Sequence, residues 1–275
     1  MVSIDTNISS LVAQRSLRNS TSKLNNAIEQ MTTGYKINHA KDNAANYSIA
    51  VDMSTKIGAY DVAEDNCAMA LDLVNTANDT LDLIIDKMTR VKELHIQGAN
   101  GTYDTDSKKA IKKEVAEIYK EVIRIKNNCE YNGLNLLDGR KQFTFQIGIN
   151  GTDSSEITVE TCSAPMHFYF LVIGANTDTD TDTDTDFSPG SALDAFLKIL
   201  SQKQSELGAV QNRLESALEA ISVQRDNLIS SRSTIKDTDV AEISSQYIKQ
   251  QILQQASATL LATANQSPSI ALQLI

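Results

Sequence analysis

Six apolar residues, Leu200, Leu207, Leu214, Ile221, Leu228 and Ile235, stand at every seventh position of one segment. That spacing keeps one stripe of an α-helix turned towards a partner for about 50 Å, at 1.5 Å per residue. The second position of the repeat is mixed (Val210, Ala217, Gln224, Ser231). Such a seam fits one member of a helical bundle better than a tight two-stranded zipper.

The prolines fall in the same pattern. Pro165, Pro189 and Pro268 are the only three, so the stretch before Pro165 and the stretch from Pro189 to Pro268 lack the strongest helix breaker. Aromatic residues make up 5% of the chain and Trp is absent, while all six Phe lie between Phe143 and Phe196. Long helices flanking a small middle of different composition are expected.

Along the chain, Ile4, Ile8, Leu11, Leu24, Ile28 and Met31 recur at the helical period, and Gly34 suits a left-handed stop. The Asn- and Ala-rich residues 37–46 are a connector. A second helix carries the seam Val74, Ala77, Leu81, Ile84, Met88 and Val91. After a turn at Asn100-Gly101 and an N-cap within Asp104–Ser107, a third helix carries Ile111, Val115, Ile118, Val122 and Ile125. Asn127-Asn128 and Asn132-Gly133 close it.

The period then changes to two. Residues 143–149 and 157–159 alternate apolar and polar around Asn150-Gly151, which predicts a β-hairpin, and residues 167–173 offer a further strand. Five Thr-Asp repeats, residues 177–186, carry dense negative charge and no apolar content, the composition of an exposed loop or disordered tip.

With a net charge of -10 and a pI near 4.8, the chain is not built to neutralise nucleic-acid phosphates. Cys67, Cys129 and Cys162 are odd in number and far apart, which suits neither a disulfide framework nor a zinc site. His39, His95 and His167 are dispersed, and no phosphate-binding Gly loop or nucleophile elbow is present. No catalytic, cofactor or metal residues are assigned, and an enzyme is not expected. The Thr-Asp run lacks the Gly that turns a calcium loop, so a solvated spacer is favoured. The N-terminus carries no cleaved-signal pattern, and the apolar run 166–175 is too short to span a bilayer.

Both ends are nevertheless apolar. The tail carries Val240, Ile243, Tyr247, Ile252, Leu253, Leu260 and Leu261, then Ile270, Leu272, Leu274 and Ile275. Exposing each large side chain forgoes roughly 1.5–3 kcal/mol. Chain ends are normally polar and frayed. These ends are written to meet neighbours, the mark of a self-assembling structural subunit.

Four stretches carry a family resemblance. They are Ile4–Leu11 with Met31–Asn38 and Ala40–Ala45; Arg90–Leu94 with Gln97–Thr102; Glu130–Leu137; and Ile252–Ala256 with Ala264–Pro268. In order and spacing they resemble bacterial flagellin, over nearly everything except about residues 155–190. Tyr35, Asn43 and Asn46-Tyr47 depart from the family's usual residues.

The resemblance implies a mainly α fold: a long antiparallel bundle or coiled coil of the terminal segments, with a small β element in the middle. It implies an inner domain of residues 1–43 with 237–275 and a core domain of 44–236. The β element would lie at about 141–175, with the Thr-Asp loop 177–186 in place of an outer insert. The function implied is a filament subunit for motility, extracellular, exported without a cleaved signal; the alternative is a hook–filament junction protein. Partners would be copies of itself in a helical filament, an export chaperone, cap and junction proteins, and a host Toll-like receptor, with no nucleic acid and no membrane. Polymerisation would fall to Ile4, Ile8, Leu11, Leu24, Ile28, Leu253, Leu260, Leu261, Ile270, Leu272 and Leu274. Arg90, Glu93, Leu94 and Gln97, at steps of three and four, with Glu114 of the next helix, would form the face for the receptor or a neighbouring protofilament.

Overall fold

The computed structural model describes residues 7–139, 141–152, 155–160 and 191–273, with backbone alone at 191–192 and 267–273. Among these residues run α1 (Ile8–Thr33), α2 (Ala44–Gly98), α3 (Thr105–Asn128), β1 (Glu130–Tyr131), β2 (Leu134–Asn135), β3 (Gln142–Gln146), β4 (Glu156–Glu160), α4 (Ser191–Lys236) and α5 (Val240–Gln273). The chain is mainly α, as expected. The proposed strand 167–173 and the Thr-Asp run 177–186 lie outside the described residues.

Two compact units divide the chain: residues 1–57 with 226–275, and residues 58–225. Both divisions fall within a helix, at 57–58 in α2 and at 225–226 in α4, so each of these helices serves both units.

In the terminal unit, Asn7 caps α1 by accepting the Ser10 N–H at 3.0 Å on its side-chain oxygen. Gly34, at φ 74, closes the helix and donates its N–H to the Gln30 carbonyl at 2.9 Å. α5 starts from Asp239, whose carboxylate accepts the N–H groups of Ala241 and Glu242. The two helices run antiparallel, tied by Ser10–Asn265, Ser16–Ser257 and Gln254–Thr21 hydrogen bonds.

Their seam has a strict alternation of steps of three and four. On α1 it is Ser10, Ala13, Leu17, Ser20, Leu24 and Ala27. On α5 it is Ile243, Tyr247, Gln250, Gln254, Ser257, Leu261 and Ala264. Small residues occupy most of its buried places, Ala13, Ser20 and Ala27 facing a helix that buries Ser257, and Ile243 at the start of α5 is the one large side chain buried in it. Small side chains let two backbones approach closely. The large apolar residues at Ile8, Leu11 and Ile28 are consequently not the intrachain seam.

Pro268 is a helix breaker by sequence, yet α5 continues through it to Gln273. A proline cannot donate to the carbonyl four residues back, here Ala264. That carbonyl instead accepts the Asn7 side-chain amide at 2.7 Å. One asparagine thus caps α1 and satisfies the acceptor that Pro268 leaves open.

Where the chain leaves and re-enters this pair, Lys36 N–H bonds Lys236 O at 2.7 Å and Thr238 N–H bonds Gly34 O at 3.0 Å. The Lys236 ammonium lies 4.2 Å from the centre of the Tyr35 ring. Within the connector, Asp42 accepts the N–H groups of Asn38 and His39. The His39 bond is the main reason its carboxyl sits below the usual range.

In the central unit, α2 lies antiparallel to α4, as Tyr60–Gln224, Arg225–Glu64, Gln204–Asp82 and Lys92–Asp194 contacts require. α3 returns along α2, with Arg90 bonded to Glu114. The core takes the expected seam of α2 (Val74 to Val91), Ile111, Val115 and Val122 of α3, and Leu200, Leu207, Leu214 and Ile221 of α4. Leu228 and Ile235, the last two of the heptad stripe, are half-buried and belong to the terminal unit.

β3 and β4 pair antiparallel from Gln142–Glu160 to Gln146–Glu156, the expected hairpin. Asn132-Gly133 does more than close α3. With both residues at positive φ, 49 and 75, it turns β1 into β2 as a tight hairpin. That turn presents Leu136 and Leu137, both fully buried, to the core.

Candidate assembly interface

Ile8, Leu11 and Ile28 on α1 and Leu253 and Leu260 on α5 are exposed, Ile8 at 68% and Leu260 at 62%. Leu24 and Leu261 are half-buried in the seam between the two helices. Ile4 and Leu274 lie outside the described residues, as do the side chains of Ile270 and Leu272. The face is wider than the sequence reading made it. Val12, Val240, Ile248 and Ile252 are exposed on the same helices. Their apolar character was legible; their outward direction was not, because α5 is apolar on several sides and the seam selects only one.

The second candidate face is built on α2 and α3. Arg90 donates to Glu93 at 3.0 Å and to Glu114 at 3.2 Å, all three exposed. The Glu93 bond, then the Glu114 bond, holds the guanidinium above its ordinary value. Gln97 is exposed and donates to the Tyr103 hydroxyl at 3.0 Å. Leu94 corrects the expectation: at 1% exposed it belongs to the core and cannot sit beside Arg90 on an outer face. Steps of three and four define an arc on the wheel, and Leu94 lies at the inward edge of that arc.

Near the connector, Ile37, Tyr47, Ala50, Val51, Ser54, Thr55 and Lys236 line an open hollow of ≈ 300 Å³ that the sequence reading did not single out. Tyr47, Ala50, Val51 and Ser54 at helical steps of three and four are the signal that could have shown it.

His39 meets Glu29 at 2.8 Å on the surface, while burial pushes His95 below the ordinary histidine range. Burial pushes the Cys67 and Cys129 thiols up, and Cys67 lies 3.2 Å from the Leu214 carbonyl. Among the described residues no group of His, Cys, Asp and Glu has metal-binding geometry, and no helix is long and apolar enough to cross a membrane.

Residues 4–142 match the bacterial flagellin N-terminal helical region and residues 191–275 the C-terminal helical region. The chain is 32% identical to a flagellin of Bacillus subtilis (strain 168) and 29% identical to a flagellar filament 33 kDa core protein of Treponema phagedenis, with 99% of each chain covered in both cases. A putative flagellar hook-associated protein from Vibrio parahaemolyticus shares the fold at a TM-score of 0.61 and 10% identity, over 71% of this chain and 100% of that one. The protein is a short-form member of the bacterial flagellin family.

Proposed function

We propose that the chain is a structural subunit that polymerises into an extracellular flagellar filament through the outer faces of α1 and α5. The observation that carries this reading is the division of labour in the terminal pair. Small residues close its own seam, while Ile8, Leu11, Val12, Ile28, Ile252 and Leu260 point away from it. Exposed apolar surface of this extent marks an association site. Burying these side chains between copies contributes roughly 1.5–3 kcal/mol for each one fully covered. Export in an unfolded state, with a chaperone, a cap and junction proteins as partners, follows from family membership as part of the same proposal.

The test is seeded elongation followed by electron microscopy, comparing the intact chain with Leu11→Ser/Leu260→Ser. Long filaments from the intact chain only, with equal helicity of the two monomers, support the reading. An intact chain that stays small under every seeding condition would favour the junction-protein alternative. Equal elongation of both chains would remove the terminal faces from the contact.

Receptor recognition is proposed on narrower grounds, the exposed Arg90–Glu93–Glu114 cluster. Reporter cells carrying the flagellin-binding Toll-like receptor should respond less to Arg90→Ala than to the intact monomer. An unchanged response would sink that part.

A further inference from the structure

α2 carries two seams. The inner one (Ala63, Cys67, Ala70, Val74, Ala77, Leu81) is buried. On the opposite side, Val62, Met69 and Leu83 are 59%, 47% and 53% exposed. Interleaved with them at steps of three and four stand Asp65, Asp72, Asp79 and Asp86, at every seventh residue and all exposed. This outer face sets apolar rungs beside acidic ones over about 36 Å, with Thr76 standing where an apolar rung would fall between Asp72 and Asp79. An ordinary solvated helix flank mixes the two signs of charge and pairs them along itself. These four aspartates close no ion pair among the described residues, whereas Asp52, Asp61, Glu64 and Glu93 of the same helix do.

α3 carries the complement. Lys109, Lys113, Lys120 and Arg124 are exposed on the side opposite the buried Ile111, Val115 and Val122. Lys113 and Lys120 repeat the seven-residue spacing of the aspartates. Lys109 and Lys113 close no ion pair among the described residues. Lys120 and Arg124 meet Glu117 and Glu121 of their own helix, exposed pairs that are easily exchanged. Because α3 spends its apolar side on its own core, its basic stripe is turned outwards and cannot fold back onto α2.

We propose that the Asp65–Asp86 face of one copy receives the Lys109–Arg124 stripe of a neighbouring copy, with Val62, Met69 and Leu83 covered in the same contact. The two surfaces are different patches of one chain. A contact between unlike patches is heterologous and can propagate into an open helical array instead of closing as a dimer. The charges select the neighbour and its register, and the apolar rungs are sheltered as it docks. The proposal rests on the filament reading and adds to it a contact within the central unit.

The experiment uses three full-length chains: Asp72→Lys/Asp79→Lys, Lys113→Glu/Lys120→Glu, and the chain with all four reversals. Each two-site chain should elongate filament seeds at least about tenfold more slowly than the intact chain at low salt. The four-site chain, in which the complementarity is restored with the signs exchanged, should elongate its own seeds at close to the intact rate. Helicity and melting of the monomers are measured alongside. If a reversal perturbs the fold, Asp72→Asn/Asp79→Asn is used instead and should also slow elongation. Two-site chains that elongate at the intact rate, or a folded four-site chain that recovers nothing, would overturn the seam while leaving the filament reading standing. If the intact chain forms no filaments, that reading fails by itself. The seam is then judged by sedimentation equilibrium of the two two-site chains, where association of the mixture but of neither alone supports it and no association overturns it.

Discussion

The two units solve opposite packing problems with the same helical period. In the central unit large side chains are inside: Leu81, Ile84, Leu136, Leu200 and Leu214 are all fully buried. Along the helix pair of the terminal unit most buried side chains are small, Ala13, Ser20, Ala27 and Ser257, with Ile243 the large exception, and large ones such as Leu11 and Leu260 are outside. A three-layer core can collect branched side chains from several elements and bury them completely. Two helices alone cannot enclose a large residue on every side, so the pair keeps a thin seam and leaves its apolar surface for something else. The difference separates a unit whose core is closed within one chain from a helix pair that leaves most of its large apolar side chains outside.

That contrast breaks most sharply in the cores. Leu81→Ala in the central unit should cost about 2–5 kcal/mol, from lost transfer and the cavity left behind. Chemical denaturation of the monomer reads it as an earlier unfolding midpoint. The terminal seam should fail in the other direction. Ala27→Leu adds bulk where the helices are closest and should cost about 1–3 kcal/mol through overpacking. Hydrogen exchange should show faster opening of α1 and α5 with the central unit unchanged.

A smaller effect is expected at Asn7. Its Ala variant removes the cap of α1 and unsatisfies the Ala264 carbonyl in α5, together about 1–2 kcal/mol. Proteolysis near residue 264 should speed up, and Asn7→Ser, which keeps the cap but cannot span to Ala264, should recover only part. In the outer face, Leu260→Ser should shift monomer stability by no more than about 0.5 kcal/mol. A larger loss would mean that Leu260 already has an intrachain partner and would blur the distinction between the units.

The smallest effect is a loss of central-unit stability below the ordinary histidine value, carried by His95. Burial holds the half-buried His95 imidazole below the ordinary histidine value of 6.5. Above 6.5 neither state binds the proton, so the full contribution is present. As pH falls below 6.5 the unfolded chain gains the proton first, and stability is lost towards the lower folded value. His95→Gln should flatten the monomer melting profile over that range.

Much of this was legible along the chain. The heptad stripe from Leu200 to Ile221, the seam from Val74 to Val91, the Gly34 stop and the β3–β4 hairpin each follow from spacing or turn chemistry within a few residues. The candidate surfaces were legible in composition and less so in direction. Leu94 shares helical steps with Arg90 and Gln97 but falls inside the core, since the boundary of a buried face is set by which helix packs beside it. Ser10, Ser20, Gln250 and Ser257 were invisible as a seam because periodicity is read from apolar residues, and this seam is small and polar.

Read alone, the order of residues already dictates long helices around a small β element, with unusually apolar ends. Those properties are local, set by spacing, proline placement and turn residues over tens of positions at most. The packing of distant segments settled which stripe of each helix faces inwards. It also decided that α5 would pass through Pro268, because the group that relieves the proline, Asn7, lies 257 residues away from Ala264 in the chain and is brought near only by the pairing of the two ends.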